Sequence, residues 1–410
     1  MSSPAPVINW KKNLLFIWLS QLLSMAGFSS AMPFIPLYIK QTWGITSEQE
    51  LGIWMSAFYF FGMVSFCIST PIWGILADRF GRKLMLLRAC YIDAVLFPCF
   101  LLAPNPAGLI VVRFIASAFT GTVSAAQTLI VTTTPEEHHG FALGTLLTAI
   151  WSGALVGYAA GGLIVHYFGF TVAFIGCGAM YLLAGLFAHI FVQDAFHTPT
   201  PKEQNSMRNS WSGISIGIWG ICFLIVITAV ARKFDEPYIA LMVESIQGGL
   251  DTAFHTGWIC ALAALGGIFS GMIIGRLCDK FSPYRIATPC LFIAGITMAL
   301  QAFSDNLAYY SIFRFLNYLA AAGLEAVFLT ILSKISPENL RGTVFGLSSG
   351  LRMGGILFSS AASGVIVYYY GVKDVYLAAG VIFLITIPCF WAVMKIIRKQ
   401  QRLNTENDMA

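Results

Sequence analysis

"GILADRFGRK", residues 74–83, sets Asp78, Arg79, Arg82 and Lys83 into a ten-residue break between two long apolar runs, with Arg88 close behind. Charge is scarce elsewhere. The chain has 410 residues, 57% of them hydrophobic and 10% charged. A soluble domain carries about 25% charged residues, so this chain cannot cover a water-facing surface and a lipid bilayer has to be its main solvent.

Cutting the apolar runs at charged or Pro/Gly breaks gives twelve spans, at 13–39, 51–76, 84–103, 106–133, 140–166, 171–193, 212–244, 253–277, 286–304, 307–333, 342–370 and 374–397. Each is near or above the roughly 20 residues that cross hydrocarbon as a helix. Helices satisfy their own backbone groups in lipid, so the spans read as helical. With the N-terminus cytoplasmic, seventeen Lys and Arg fall in cytoplasmic segments, against Lys40 and Lys373 on the other side. That bias orients the chain with both termini inside. "GILADRFGRK" is then a short cytoplasmic turn between spans two and three. The net charge of +5 follows from this topology and does not read as a nucleic-acid patch. The nine cysteines show no CxxC and no metal-ligand spacing, so they read as small apolar packers, and no metal or cofactor is expected.

The stretch 194–211 is the longest polar segment between spans and reads as a linker between an N-terminal bundle, 1–193, and a C-terminal bundle, 212–410. The two halves resemble each other. "WGILADRFGRK" (73–83) aligns with "IGRLCDKFSPY" (274–284), setting Asp78 on Asp279. "VVRFIASA" (111–118) aligns with "IFRFLNYL" (312–319), setting Arg113 on Arg314, and "SAMPFIPLYI" (30–39) aligns with "FDEPYIALMV" (234–243), setting Pro33 on Pro237. "GFALGTLL" (140–147) aligns with "GTVFGLSS" (342–349). Parallel repeats of six helices are a transporter pattern, with the substrate site near the midplane.

"GILADRFGRK" resembles the loop signature G-x-L-A-D-R-x-G-R-K of the major facilitator superfamily, with every fixed position filled. "RFIASAFTG" resembles that family's second motif. "GALVGYAAGG" (153–162) resembles the fifth-helix motif of its proton-driven exporters, with Tyr158 in the place of a proline. The chain as a whole resembles the twelve-helix drug:proton antiporter branch. The resemblance implies an all-α membrane protein, twelve transmembrane helices in two pseudo-symmetric six-helix bundles. It also implies a bacterial cytoplasmic (inner) membrane and a monomer that exchanges small molecules for protons. No nucleotide-binding loop and no catalytic or metal constellation occurs in the sequence, so a transporter is expected rather than an enzyme.

The residues allow specific expectations. Asp78, Arg79, Gly81 and Arg82, with Asp279 in the second half, form a conformational latch, in which a carboxylate meets the positive end of a facing helix. Gly153, Gly157 and Gly161 recur every four residues beside Gly162 and make a ridge for close helix packing. Four acids (Asp93, Asp235, Glu236, Glu325) and five bases (Arg113, Arg232, Lys233, Arg314, Arg352) lie at membrane depth. Each is costly unless paired or facing water, which makes it a functional candidate. In "ARKFDEPYI" (231–239), helical spacing brings Arg232 to Asp235 and Glu236, and Lys233 to Glu236. Glu325 has no base within one turn of its own helix, and Arg352 on the next helix is its expected partner. Glu325, Asp235 and Glu236 are therefore the proton-coupling candidates, Glu325 first. Arg113, Arg314, Arg232, Lys233, Gln21 and Ser29 are candidates to line the substrate cavity.

The bases at depth slightly outnumber the acids. That keeps open a second reading, a proton-coupled importer of an anionic metabolite or carboxylate chelator.

Single cysteines placed in 78–83, 194–211 and 398–410 should react with impermeant reagents from the cytoplasmic side only. Those in 45–50 and 248–252 should react from outside only. A cysteine at 203 reached only from outside overturns the span count.

Overall fold

The computed structural model of the chain describes residues 9–194, 215–249, 251–337 and 340–409, leaving aside the side chains of Asp78, Asp279, Arg341 and 401–409. The latch acids Asp78 and Asp279, and most of the 194–211 linker, thus lie outside what is described. Among the described residues everything regular is helix. Ten helical spans stand singly: α1 (Trp10–Trp43), α2 (Glu48–Ala77), α3 (Arg82–Leu102), α4 (Pro106–Thr133), α7 (Ile216–Gln247), α8 (Thr252–Cys278), α9 (Pro283–Ala302), α10 (Leu307–Ile335), α11 (Thr343–Tyr370) and α12 (Val372–Gln400). The remaining stretch, His139–Phe191, is interrupted by non-helical backbone at Gly169, where φ is 77°. It supplies α5 (139–168) and α6 (170–191), and the count is twelve. Gly169 is the sole such residue in that stretch, so α5 runs unbroken through Tyr158.

By their contacts the residues form two units, Met1–Pro199 with Ile239–Leu265, and Thr200–Tyr238 with Gly266–Ala410. In the first unit the α5 ridge lies on α1. A Cβ added at Gly153 would fall 2.5 Å from the Leu22 carbonyl oxygen. One at Gly157 would overlap the Ala26 carbonyl, and one at Gly161 the Ser30 backbone. The fourth glycine faces elsewhere: a Cβ on Gly162 would lie 2.9 Å from Gly257 Cα on α8. An ion pair and a His–Asp contact accompany it. Lys40 Nζ meets Glu244 Oε1 at 2.7 Å, and His166 Nδ1 lies 3.6 Å from Asp251 Oδ1. Small residues let the backbones approach where lipid offers no hydrophobic drive for association.

The "GILADRFGRK" turn lies at the opposite end of this unit. Gly81 takes φ 96°, a backbone that favours glycine, and α3 starts at once. The Asp194 carboxylate accepts the N–H groups of Arg82 at 2.8 Å and Lys83 at 2.9 Å. It therefore caps α3 and places negative charge at the positive end of its dipole. Arg79 is exposed, with its guanidinium 5.5 Å from the centre of the Phe80 ring.

Four spans are broken at positions related by the repeat. α1 tightens into a 3-10 turn at Met32–Phe34, around Pro33, and α7 does so at Glu236–Tyr238, around Pro237. α4 stops at Phe119 and restarts at Thr122, and α10 stops at Ala321 and restarts at Leu324. Non-helical backbone at membrane depth survives only inside protein or beside water. At the α4 break, protein groups meet that need: Arg88 donates to the Thr120 carbonyl at 3.2 Å and Gln21 to the Thr122 carbonyl at 3.3 Å.

Gly157→Ala should cost about 1–3 kcal/mol by overpacking α5 against α1. Ala160→Gly, one turn on and off the ridge, should cost no more than about 1 kcal/mol. Unfolding midpoints in detergent measure both. Equal losses at the two positions would remove the ridge as the cause.

Candidate functional site

In the second unit the break in α7 sorts the charges of "ARKFDEPYI". α7 is helical to Lys233, bends at Phe234 and Asp235, and resumes after the 3-10 turn. Lys233 reaches Glu236, at 2.7 Å, as helical spacing predicts. Arg232 does not turn to Asp235 or Glu236; its Nη1 meets Glu325 Oε2 on α10 at 3.2 Å. The reason is the bend, which takes Asp235 off the face that an unbroken helix would give it.

Asp235 instead pairs with Arg314, and both are buried, at 0% and 1% side-chain exposure. Gln301 Oε1 of α9 lies 3.4 Å from the same Arg314 nitrogen, and the Tyr318 ring is 5.0 Å from its guanidinium carbon. A hydroxyl pair, Tyr310 to Tyr376 at 2.8 Å, joins α10 to α12 on the same side. Arg314, a candidate for the substrate cavity, thus sits in the interior of its own unit on a single carboxylate.

The break at Ala322–Gly323 gives the next turn of α10 a different surrounding. A Cβ at Gly323 would overlap Ile274 of α8, so this turn of α10 needs glycine for close approach. Two residues on, Glu325 Oε1 lies 3.4 Å from Arg352 Nε of α11. The expected Glu325–Arg352 pair is therefore present, and Arg232 is a second partner from α7. A small cavity opens there, lined by Ile225, Thr228, Ala229 and Ile356 beside Arg232, Lys233, Glu325 and Arg352. The charged groups are partly exposed, with side-chain exposures of 23% for Arg232, 33% for Glu325 and 29% for Arg352.

The first unit holds its polar candidates differently. Arg113 stands between two aromatic rings, 5.7 Å from the centre of Phe28 and 5.3 Å from that of Phe58. Asp93 is buried within reach of the charges of Arg113 and Arg88 and of the Thr120 hydroxyl. Arg88 stacks on Trp73 at 3.5 Å, a contact the sequence did not announce. Gln21 is spent on the α4 break, and Ser29 is buried under Gly157. Among the described residues no group of three His, Cys, Asp or Glu is placed to hold a metal ion.

The chain compares closely with known transporters. It is 31% identical over 386 residues to the multidrug resistance protein MdtG of Klebsiella pneumoniae (strain 342), covering 93% of both chains. It is 29% identical over 402 residues to the MdtG of Escherichia coli O81 (strain ED1a), covering 97% of this chain and 98% of the relative. A point mutant of the nucleoside transporter NupG superposes with a TM-score of 0.75 at 14% identity, covering 93% of this chain and 99% of the other. A bacterial homologue of the human lysosomal transporter Spinster, inward-facing and unoccupied, gives 0.74 at 14% identity, covering 97% and 99%. The family profile of the Major Facilitator Superfamily matches residues 17–232 and 221–409, so this chain belongs to that superfamily of transporters.

Proposed function

We propose that the protein exports amphipathic small molecules in exchange for protons, across a bacterial cytoplasmic membrane and as a monomer. Its two bundles, 1–193 and 212–410, alternate access to a shared path, both termini lie inside, and the Asp78 and Asp279 loops latch the closed state. The kinship with MdtG proteins, named for multidrug resistance, supports the substrate range. The observation that carries the coupling is the Glu325 carboxylate, partly exposed and shared between Arg232 and Arg352.

An antiporter needs substrate and proton to exclude each other from one state. Glu325 provides for that. Ionised, it holds α10 to α7 and α11 through two ion pairs, and it can exchange a guanidinium for the cationic head of a substrate. Protonated, it loses its attraction for both. The helix contacts of the second bundle then change with each proton, which is the bistable element that alternating access requires. Asp235 has a different role in this scheme. Its partner Arg314 is buried with it, so it serves as a fixed strut between α7 and α10. The chemistry is binding and release, with no catalytic step and no cofactor.

Glu325→Gln in proteoliposomes with an imposed pH gradient should abolish uphill accumulation of a lipophilic cation while leaving downhill exchange of a neutral amphipathic substrate. A variant that still concentrates substrate at the normal rate would falsify the assignment. Asp235→Asn should act first on stability, with a loss of about 3–5 kcal/mol from the stranded Arg314 charge. The double change Asp235→Leu with Arg314→Leu should recover most of that loss. Detergent unfolding of the three proteins measures it, and a double variant as unstable as the single one would refute the strut.

A further inference from the structure

The surroundings of Glu325 hold more positive charge than one carboxylate needs. Arg232 comes from α7 and Arg352 from α11, and each approaches with one nitrogen, at 3.2 and 3.4 Å. A guanidinium carries five N–H donors in a planar fork matched to a carboxylate, so most of both forks is left over. Lys233 and Glu236 stand beside them as a pair, making three cations against two carboxylates in the cluster. Asp235 and Arg314 neutralise each other in the interior and add nothing to the balance. The cavity among these groups measures about 30 Å³. One water needs about 10–15 Å³ by this measure, so the space fits about two oxygens, those of one carboxylate head. Ile225, Ala229 and Ile356 make the rest of its lining apolar.

We infer that this cavity is a carboxylate site, and that an amphipathic carboxylate occupies it together with a proton on Glu325. The inference rests on the reading that α7, α10 and α11 border the substrate path. An incoming carboxylate takes the guanidiniums from Glu325. If Glu325 stays ionised, two like charges share a partly desolvated space, and one of them has lost its partners. If Glu325 is protonated, the repulsion vanishes and its O–H becomes a donor to the newcomer. Binding of the two is reciprocal by linkage: each raises the affinity for the other. The carboxylate therefore binds more tightly as pH falls. A cationic head, which needs Glu325 ionised, binds less tightly as pH falls. One cluster thus exchanges a proton against a cation but carries a proton together with a carboxylate, and the sign of the substrate's charge decides which coupling operates.

The test uses the full chain in nanodiscs of neutral phosphatidylcholine, with naphthoate, naphthamide and naphthylmethylammonium as probes of one shape and three charges. Naphthoate affinity should rise about tenfold between about pH 8 and about pH 6, while naphthamide affinity stays level and naphthylmethylammonium affinity falls. Glu325→Gln should bind naphthoate at both values with the tighter, low-pH affinity. Arg352→Gln should bind it about tenfold more weakly at the lower pH. A naphthoate affinity indifferent to pH in the wild type overturns the proposal, and so does Arg352→Gln binding as well as the wild type. Cation export in proteoliposomes is scored separately. A protein that exports no cation yet shows the naphthoate response refutes only the exporter reading. One that exports cations without that response refutes only the carboxylate site.

Discussion

A backbone amide or a charge at membrane depth has only protein to bond to, and that constraint organises this molecule. Four of its twelve helices are broken, at Met32–Phe34, Thr120–Gly121, Glu236–Tyr238 and Ala322–Gly323. Each break frees groups that lipid would leave stranded. The surrounding side chains are arranged to receive them, as Gln21 and Arg88 do at the α4 break. The same breaks change the direction of the residues that follow. Charged side chains a few positions apart in sequence thereby reach different neighbours, and this separates the buried Asp235–Arg314 pair from the accessible Glu325 cluster.

The architecture was legible in the sequence because it rests on local, additive signals. Twelve apolar runs, a one-sided distribution of Lys and Arg, and a loop signature with every fixed position filled each point to the same fold. The Gly153, Gly157, Gly161 ridge was equally plain, since a spacing of four puts small residues on one face of any helix, and it meets α1 as such a face should. Tyr158 also fits a local argument. Without the proline nothing interrupts the backbone of α5, which stays helical to Gly169.

The site was legible in part. The Glu325–Arg352 pair follows from placing the tenth and eleventh spans side by side. The partners of Arg232 and Arg314 did not follow, because they depend on where the helices break. Helical spacing assigned Arg232 to Asp235 and Glu236 as though α7 were continuous. Pro237 and Gly323 carry the signal that was available. A proline or glycine within a charged stretch of a membrane helix marks a place where i+3 and i+4 arithmetic stops. The Arg88–Trp73 stack and the Asp194 cap on α3 had no signal of comparable strength, since both join residues far apart in the chain.

The repeat gives the two halves one scaffold and unequal chemistry. Aligning Pro33 with Pro237, and the α4 break with the α10 break, sets Phe28 opposite Arg232, Ala31 opposite Asp235 and Val123 opposite Glu325. The alignment of "GFALGTLL" with "GTVFGLSS" sets Ile150 opposite Arg352. None of these acids and bases is matched by a charged residue in the first half, and Lys233 falls opposite Ser29. The two arginines that do correspond have followed that difference. Arg314 has a carboxylate to pair with. Arg113 rests on the ring of Phe28, the residue that stands where the second half has Arg232, and lies within charge range of the buried Asp93. A cation over an aromatic face keeps its interaction when a nearby acid gains or loses a proton, whereas an ion pair does not. Ion pairs thus join α7 to α10 and α11 in the second half, where the first half sets Arg113 among aromatic rings beside the buried Asp93.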